Sequence, residues 1–429
     1  MVCIENNMSG FWKEKIMNAR ERVMASINHI QPDYVPLDLG GTPSSGISAI
    51  AYNNLKKYLK MTDGHTRIYD VVQQVVQPED AIMDMFGVDV IDIGRAFNDK
   101  DEDWYDMTLA NGSVAQYPAW FKPVMQENGS YVVYDDEGTM IAKMPVGATF
   151  FDQTYFPYVE DYPKDYSDLD HQMGKVLWSA LAHSPWDHAK EKDFYKDLRT
   201  RTLALRQQTD KALIITCGCN LFEWGTFLRK MDNFLMDTYA DPDNVEIMVG
   251  HLMERHLETL KNVCESVGDI VDVLRFGDDL GMDTGMFMSR EKYQTLFKPH
   301  HAKLNDYVHK HSQMKTFLHS CGSIYPIIGD LIEAGYDILN PVQTTARQMD
   351  PATLKREFGK DITFWGGGCN TRSVLNRSTP DEVYTYSRKM IDIFSEDGGF
   401  VFNTEHNIMP DVPPENIIAM YRAVADARK

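Results

Sequence analysis

The chain has 429 residues and a formal net charge of -20, from 43 Lys and Arg against 63 Asp and Glu. Phosphate backbones and anionic lipid repel so acidic a surface, which excludes nucleic acid and a membrane surface as main partners. No apolar run reaches the roughly 18 residues of a membrane span.

The length fits two average domains or one large α/β barrel with insertions. The opening MVCIENNMSGFWKEK has no apolar core of the kind a signal peptide carries. A cytoplasmic location is therefore expected. Cys3, Cys217, Cys219, Cys264, Cys321 and Cys369 then read as reduced thiols, some open to metal, rather than as a disulfide framework.

In chain order, YVPLDLG (34–40) and VDVIDIG (88–94) predict two buried strands. Residues 103–165 break the pattern. GSVAQYPAWFKPV, GSYVVYDDEGTMIAKMP and ATFFDQTYF read as short antiparallel strands, with turns at Asn128-Gly129 and Asp136-Glu137-Gly138. From residue 211 strands and helices alternate. KALIITC (211–217) precedes helical text over 222–266, and DIVDVLRFGDD (269–279) precedes a helix from Ser289 to His311. MKTFLHS (314–320) precedes a helix over 323–334. YDILNP (336–341) precedes PATLKREF, with Asp350 as its N-cap. DITFWGG (361–367) precedes a helix starting at Thr379 and Pro380, with Glu382 in its first turn. GGFVFN (398–403) precedes a last helix from Pro413.

Strands separated by helices form parallel βαβ units. Eight of them favour a closed (β/α)8 TIM barrel over an open sheet, with all of 1–429 as one domain and 103–165 as a β-rich insertion at its mouth.

Barrel active sites sit at the carboxyl ends of the strands. Those ends carry Asp278 and Asp279, then His319 and Cys321, then Asn340 and Gln343, then Cys369, then Asn403, Glu405, His406 and Asn407. His319 and Cys321 stand two apart, so they face one space together. Imidazole and thiolate in one space suit zinc, and a catalytic zinc keeps one position open. The pair reads equally as a buried cysteine beside a hydrogen-bonded histidine. Cys217 and Cys219 read as core and loop packing, and His300, His301, His309 and His311 as solvated residues near one helix. Gly366 to Gly368 lack the Lys-Ser/Thr of a phosphate loop and read as a place of close backbone approach.

Three segments, FLHSCGSIYPIIGDLIEAGYDILNPVQ, ITFWGGGCNTRSVLNRSTPDEV and GGFVFNTEHNIMPDVPPENI, resemble the uroporphyrinogen decarboxylase superfamily. The resemblance is strong over 211–429, weaker over 34–97 and absent from 103–165. It implies a TIM barrel and one of two chemistries. The decarboxylases carry an Arg-Gln-Ala-Gly-Arg segment after their first strand, where this chain reads LDLGGTPSSGISAI. The missing arginines favour the zinc-dependent methyltransferase branch, which takes methyl groups from a corrinoid protein. That branch implies zinc on His319 and Cys321. Its last cysteine falls where this chain has His406, with Cys369 as an extra thiol one strand earlier. The third ligand is then Cys369, His406 or both. Asp279 and Glu405 become candidate catalytic acids, and Gln343, Asn403 and Asn407 candidate cofactor contacts. The implied partners are methylcobalamin on a separate corrinoid protein and a small acceptor, a thiol or tetrahydrofolate. A decarboxylase-like lyase and a non-catalytic metal-binding barrel are the alternatives, and a homodimer is compatible with each.

Overall fold

The computed structural model describes residues 16–179 and 182–428. The amino-terminal stretch read for a leader, and Cys3 within it, lie outside them.

Seven parallel strands form one sheet. They are β1 (Val90–Asp92), β2 (Ala212–Gly218), β3 (Val273–Gly277), β4 (Lys315–His319), β5 (Ile338–Asn340), β6 (Thr363–Trp365) and β7 (Phe400–Val401). They pair in chain order from β1 to β7. The 36–38 segment fills the eighth position. Asp38 N–H donates to Phe402 O at 2.9 Å, Phe402 N–H to Pro36 O at 2.8 Å, and Asp89 N–H to Leu37 O at 2.8 Å. Leu37 thus joins the two edges, and the architecture is a TIM barrel.

Strand period decides what fills it. Val90, Ile214, Val273, Phe317, Ile338 and Val401 belong to one buried cluster with Ala212 and Trp365. Helix Ala19–Ile27 closes it from the amino-terminal side through Val23 and Ile27. Two residues further along the same strands, on the same face, stand Asp92, Thr216, Arg275, His319, Asn340 and Asn403. The lumen is therefore apolar at one end and polar at the carboxyl ends of its strands.

The insertion is antiparallel, as its turns predict. Trp104–Thr108 pairs with Val114–Pro118, and a second sheet joins Val124–Met125, Tyr131–Tyr134, Met140–Met144 and Asp152–Gln153. It leans on the loop side of the barrel. Phe151 N–H reaches Val72 O at 3.0 Å, and Tyr158 N–H reaches Leu228 O at 2.7 Å, in the last turn of the helix Phe222–Arg229 that follows β2.

Four local expectations change, the first being the helix from Ser289 to His311, which is two helices, Arg290–Leu296 and Lys298–His311, broken at Phe297. The helix predicted over 222–266 is three helices, Phe222–Arg229, Met231–Ala240 and Pro242–Val267. Lys230 takes a positive φ of 70°, and Pro242 disfavours helical geometry at Asp241. The text over 323–334 is a 3-10 turn, Tyr325–Ile327, followed by Ile328–Glu333. His301 is not solvated: it is fully buried, its Nε2 lying 3.3 Å from Asp278 and its Nδ1 3.2 Å from Tyr293 Oη. Among the described residues no helix is long and apolar enough to cross a membrane.

Candidate metal centre

His319 ends β4 and Cys321 follows in the turn. Gly322 lets that turn lie flat: its φ is 86°, and a Cβ there would sit 2.3 Å from the backbone of Gly281. Across the lumen His406 stands on the loop after β7. Ligand atoms of His319, Cys321 and His406 all lie within 4.8 Å of one another. His319 Nε2 is 3.5 Å from Cys321 Sγ, and the two imidazoles meet edge-on with centroids 5.7 Å apart.

Each ring has its other nitrogen held by an amide. Asn340 Nδ2 donates to Trp365 O at 2.7 Å, which turns Asn340 Oδ1 towards His319 Nδ1 at 2.6 Å. His319 Nδ1 must therefore carry the proton, leaving the Nε2 lone pair for a metal. Ser44 Oγ supports the same oxygen from 3.2 Å. His406 Nδ1 meets Asn407 Oδ1 at 2.8 Å in the same manner, and Asn407 Nδ2 rests on Gln73 Oε1 at 3.3 Å. Burial lowers the pKa of both imidazoles, His319 being held down further by Arg275 and His406. Both are neutral at neutral pH, as metal donors must be. Burial pushes the Cys321 thiol up, with Asp279 and Glu223 adding to it. The thiol therefore needs a metal, or a base, to ionise. Two oriented imidazoles and one thiol form a donor set that zinc accepts with one position spare.

The fourth sequence candidate does not join them. Cys369 is fully buried in the main hydrophobic core, its thiol 4.0 Å from Asn370 O and raised to about 12 by burial. The preceding glycines bend the chain for packing rather than for ligation: a Cβ on Gly366 would lie 2.1 Å from Pro341 O. Cys217 and Cys219 are buried thiols of the same core.

The acids divide by what occupies their oxygens. Asp279 Oδ1 accepts the Cys321 N–H at 2.8 Å and lies 3.7 Å from His319 Nε2. Burial raises its pKa, and its side chain is still 35% exposed, so it borders the opening of the site. Asp278 instead caps helix Phe222–Arg229, accepting the N–H groups of Leu221, Phe222 and Glu223 at 2.7 to 2.9 Å. Glu405 has both oxygens engaged, one by the Thr344 N–H and hydroxyl and one by Asn370 Nδ2 at 3.0 Å. It ties loops together beside His406. Gln343 does likewise: Oε1 accepts the Gly322 N–H at 3.0 Å and Nε2 donates to Asp283 at 2.7 Å. Asn403 Oδ1 is buried in the lumen without a hydrogen-bond partner.

Arg275 is the residue that sequence reasoning passed over. It stands one strand from His319, and its Nε is buried without a partner. The signal was a lone cation at inward parity in VLRFG, two residues after Val273. Asp38 and Asp92 show the same pattern. Burial raises Asp92 to about 7 and Asp38 to about 6.

The family model for uroporphyrinogen decarboxylase (URO-D) matches residues 214–427, the half that carries β2 to β7 and the metal centre. The chain belongs to the uroporphyrinogen decarboxylase superfamily. A curated uroporphyrinogen decarboxylase from Methylococcus capsulatus is 30% identical over 94 residues, which span 22% of this chain and 25% of that relative. The match thus covers a quarter of the relative's length. A methyltransferase from Methanosarcina mazei has a similar fold, with a TM-score of 0.58 and 15% identity over 95% of this chain and 98% of that one. The superfamily barrel thus extends in this chain to the 36–38 segment, well before the family match begins.

Proposed function

We propose that this superfamily member is a zinc-dependent methyltransferase, moving a methyl group between methylcobalamin on a partner corrinoid protein and a small acceptor, a thiol or tetrahydrofolate. The observation that carries the reading is the cluster of His319, Cys321 and His406, with both Nε2 lone pairs preset by Asn340 and Asn407. The similar fold of the methyltransferase from Methanosarcina mazei supports it. So does the loop after Leu37, where LDLGGTPSSGISAI offers Ser44 to Asn340 and has no arginine for a polycarboxylate.

Bound zinc would supply Lewis acidity, which favours the ionised form of an acceptor thiol at neutral pH. His319, Cys321 and His406 would hold it, and three protein donors would leave room for the acceptor. Asp279, at the opening and raised by burial, takes the proton that the acceptor sheds. Glu405 and Gln343 keep the loops bearing His406 and Cys321 in register. The corrinoid partner docks over the carboxyl ends of the strands, beside the β insertion.

Zinc-loaded protein should move the methyl group of free methylcobalamin to a thiol, followed by the loss of its absorbance. Cys321→Ala should lose both most of the metal and the transfer, with the helical circular dichroism unchanged. Active, fully metallated Cys321→Ala protein, or conversion of uroporphyrinogen to coproporphyrinogen, would refute the reading.

A further inference from the structure

Arg275 is the unusual cation of this fold. Where arginines are structural here, they are saturated. Arg22 is 3% exposed and pairs with Asp33 and Asp89 at 2.7 and 2.6 Å, and Arg428 meets Asp89 at 2.8 Å. A half-buried guanidinium such as that of Arg275 is expected to find at least one such partner. Arg275 nonetheless has no hydrogen bond or ion pair among the described residues, and its Nε is sealed from solvent. Asp279 and Glu223 attract it from a distance without touching it.

Its neighbours lack the same kind of partner. Thr216 is level with Arg275 in the β2–β3 register, and its buried hydroxyl is unpartnered. Tyr69, within electrostatic reach of Arg275, has an unpartnered buried hydroxyl too. The guanidinium can only donate and the two hydroxyls can donate beside it, so one acceptor group would satisfy all three.

We propose that Arg275, with Thr216 and Tyr69, binds the carboxylate of a small substrate whose other end reaches the His319–Cys321–His406 cluster. Placing that other end rests on the reading of the cluster as the reacting centre. Register sets the scale. Gly277 is level with His319, so Arg275 lies one strand across and two residues down, roughly 8 Å away between Cα atoms. That reach suits a molecule of a few carbons. Charge sets the valence. One guanidinium supplies one positive charge beside Asp38, Asp92, Glu223 and Asp279, whose carboxyls burial holds towards their neutral forms, so it matches a monoanion and leaves the second charge of a dianion uncompensated.

The test is calorimetric binding of 3-mercaptopropionate against its neutral amide, to zinc-loaded and to metal-free protein. Wild type should bind the acid about tenfold tighter than the amide in both forms, the worth of one charge-assisted hydrogen-bonded contact. Arg275→Gln should erase that ratio by weakening the acid far more than the amide, and Arg275→Lys should restore part of it. Thermal unfolding checks that the variants fold, and Thr216→Val gives a milder second probe that should reduce the ratio. A ratio near one in wild type, a ratio unchanged in Arg275→Gln, or no binding of the acid to either form overturns the proposal. Equal loss of both probes on removing zinc reports on the metal reading instead, because the acid-to-amide ratio depends on Arg275, Thr216 and Tyr69 and not on the metal.

Discussion

At the scale of single residues, two asparagine side chains decide what the histidines can do. Asn340 forces the Nδ1 tautomer on His319, and Asn407 on His406. Asn340→Leu should keep the imidazole yet lower metal affinity by roughly 10- to 100-fold, the usual effect of losing such support, measured by competition with a chelator. Cys369→Ala should leave metal affinity unchanged, since that thiol lies in the core. The raised Cys321 thiol gives metal binding a pH dependence. One proton leaves the thiol on binding, so affinity should rise about tenfold per pH unit around neutrality, and a flat profile would mean Cys321 is not a ligand. Asp92 acts on stability in the opposite sense. Its folded pKa, about 7, lies above the unfolded value of 3.8. Its contribution is complete below pH 3.8 and is lost as pH rises through 7. The thermal midpoint of Asp92→Asn should therefore gain on that of wild type between pH 5 and 8.

At the scale of elements, the helix signals were readable because they are local. Asp350 accepts Thr353 N–H at 2.9 Å, and Thr379 with Glu382 forms the capping box that their spacing implies. Helix Phe222–Arg229 could not be read this way. Its cap is Asp278, more than fifty residues away in the chain, seated on three backbone N–H groups and His301. Asp278→Ala strands those donors in a fully buried site. It should cost about 3 kcal/mol or more in urea unfolding, while Asp279→Ala, at the rim, should cost far less and act on turnover.

At the scale of the whole molecule, closure of the barrel depends on Asp89. One oxygen takes Arg22 at 2.6 Å, and the other takes Arg428 at 2.8 Å and Leu37 N–H at 2.9 Å. The first helix, the chain end and the eighth barrel position meet there. Asp89→Ala leaves Arg428 without a carboxylate and Arg22 with Asp33 alone, and should destabilise the protein by about 3 to 5 kcal/mol. Unfolding within 1 kcal/mol of wild type would show that the Leu37 backbone bonds close the barrel unaided.

Sequence alone determined the order of strands and helices, the antiparallel insertion and the pairing of His319 with Cys321, because each rests on short-range periodicity or spacing. It also put His406 among the candidates, through a family resemblance. Only the tertiary structure separated His406 from Cys369 by position. Both follow barrel strands, and one turn's direction sends the imidazole into the lumen and the thiol into the core. The tautomers, the cap on Asp278 and the unpartnered state of Arg275 were likewise out of reach. Each is a contact, or a missing contact, between residues that only the closed barrel brings together.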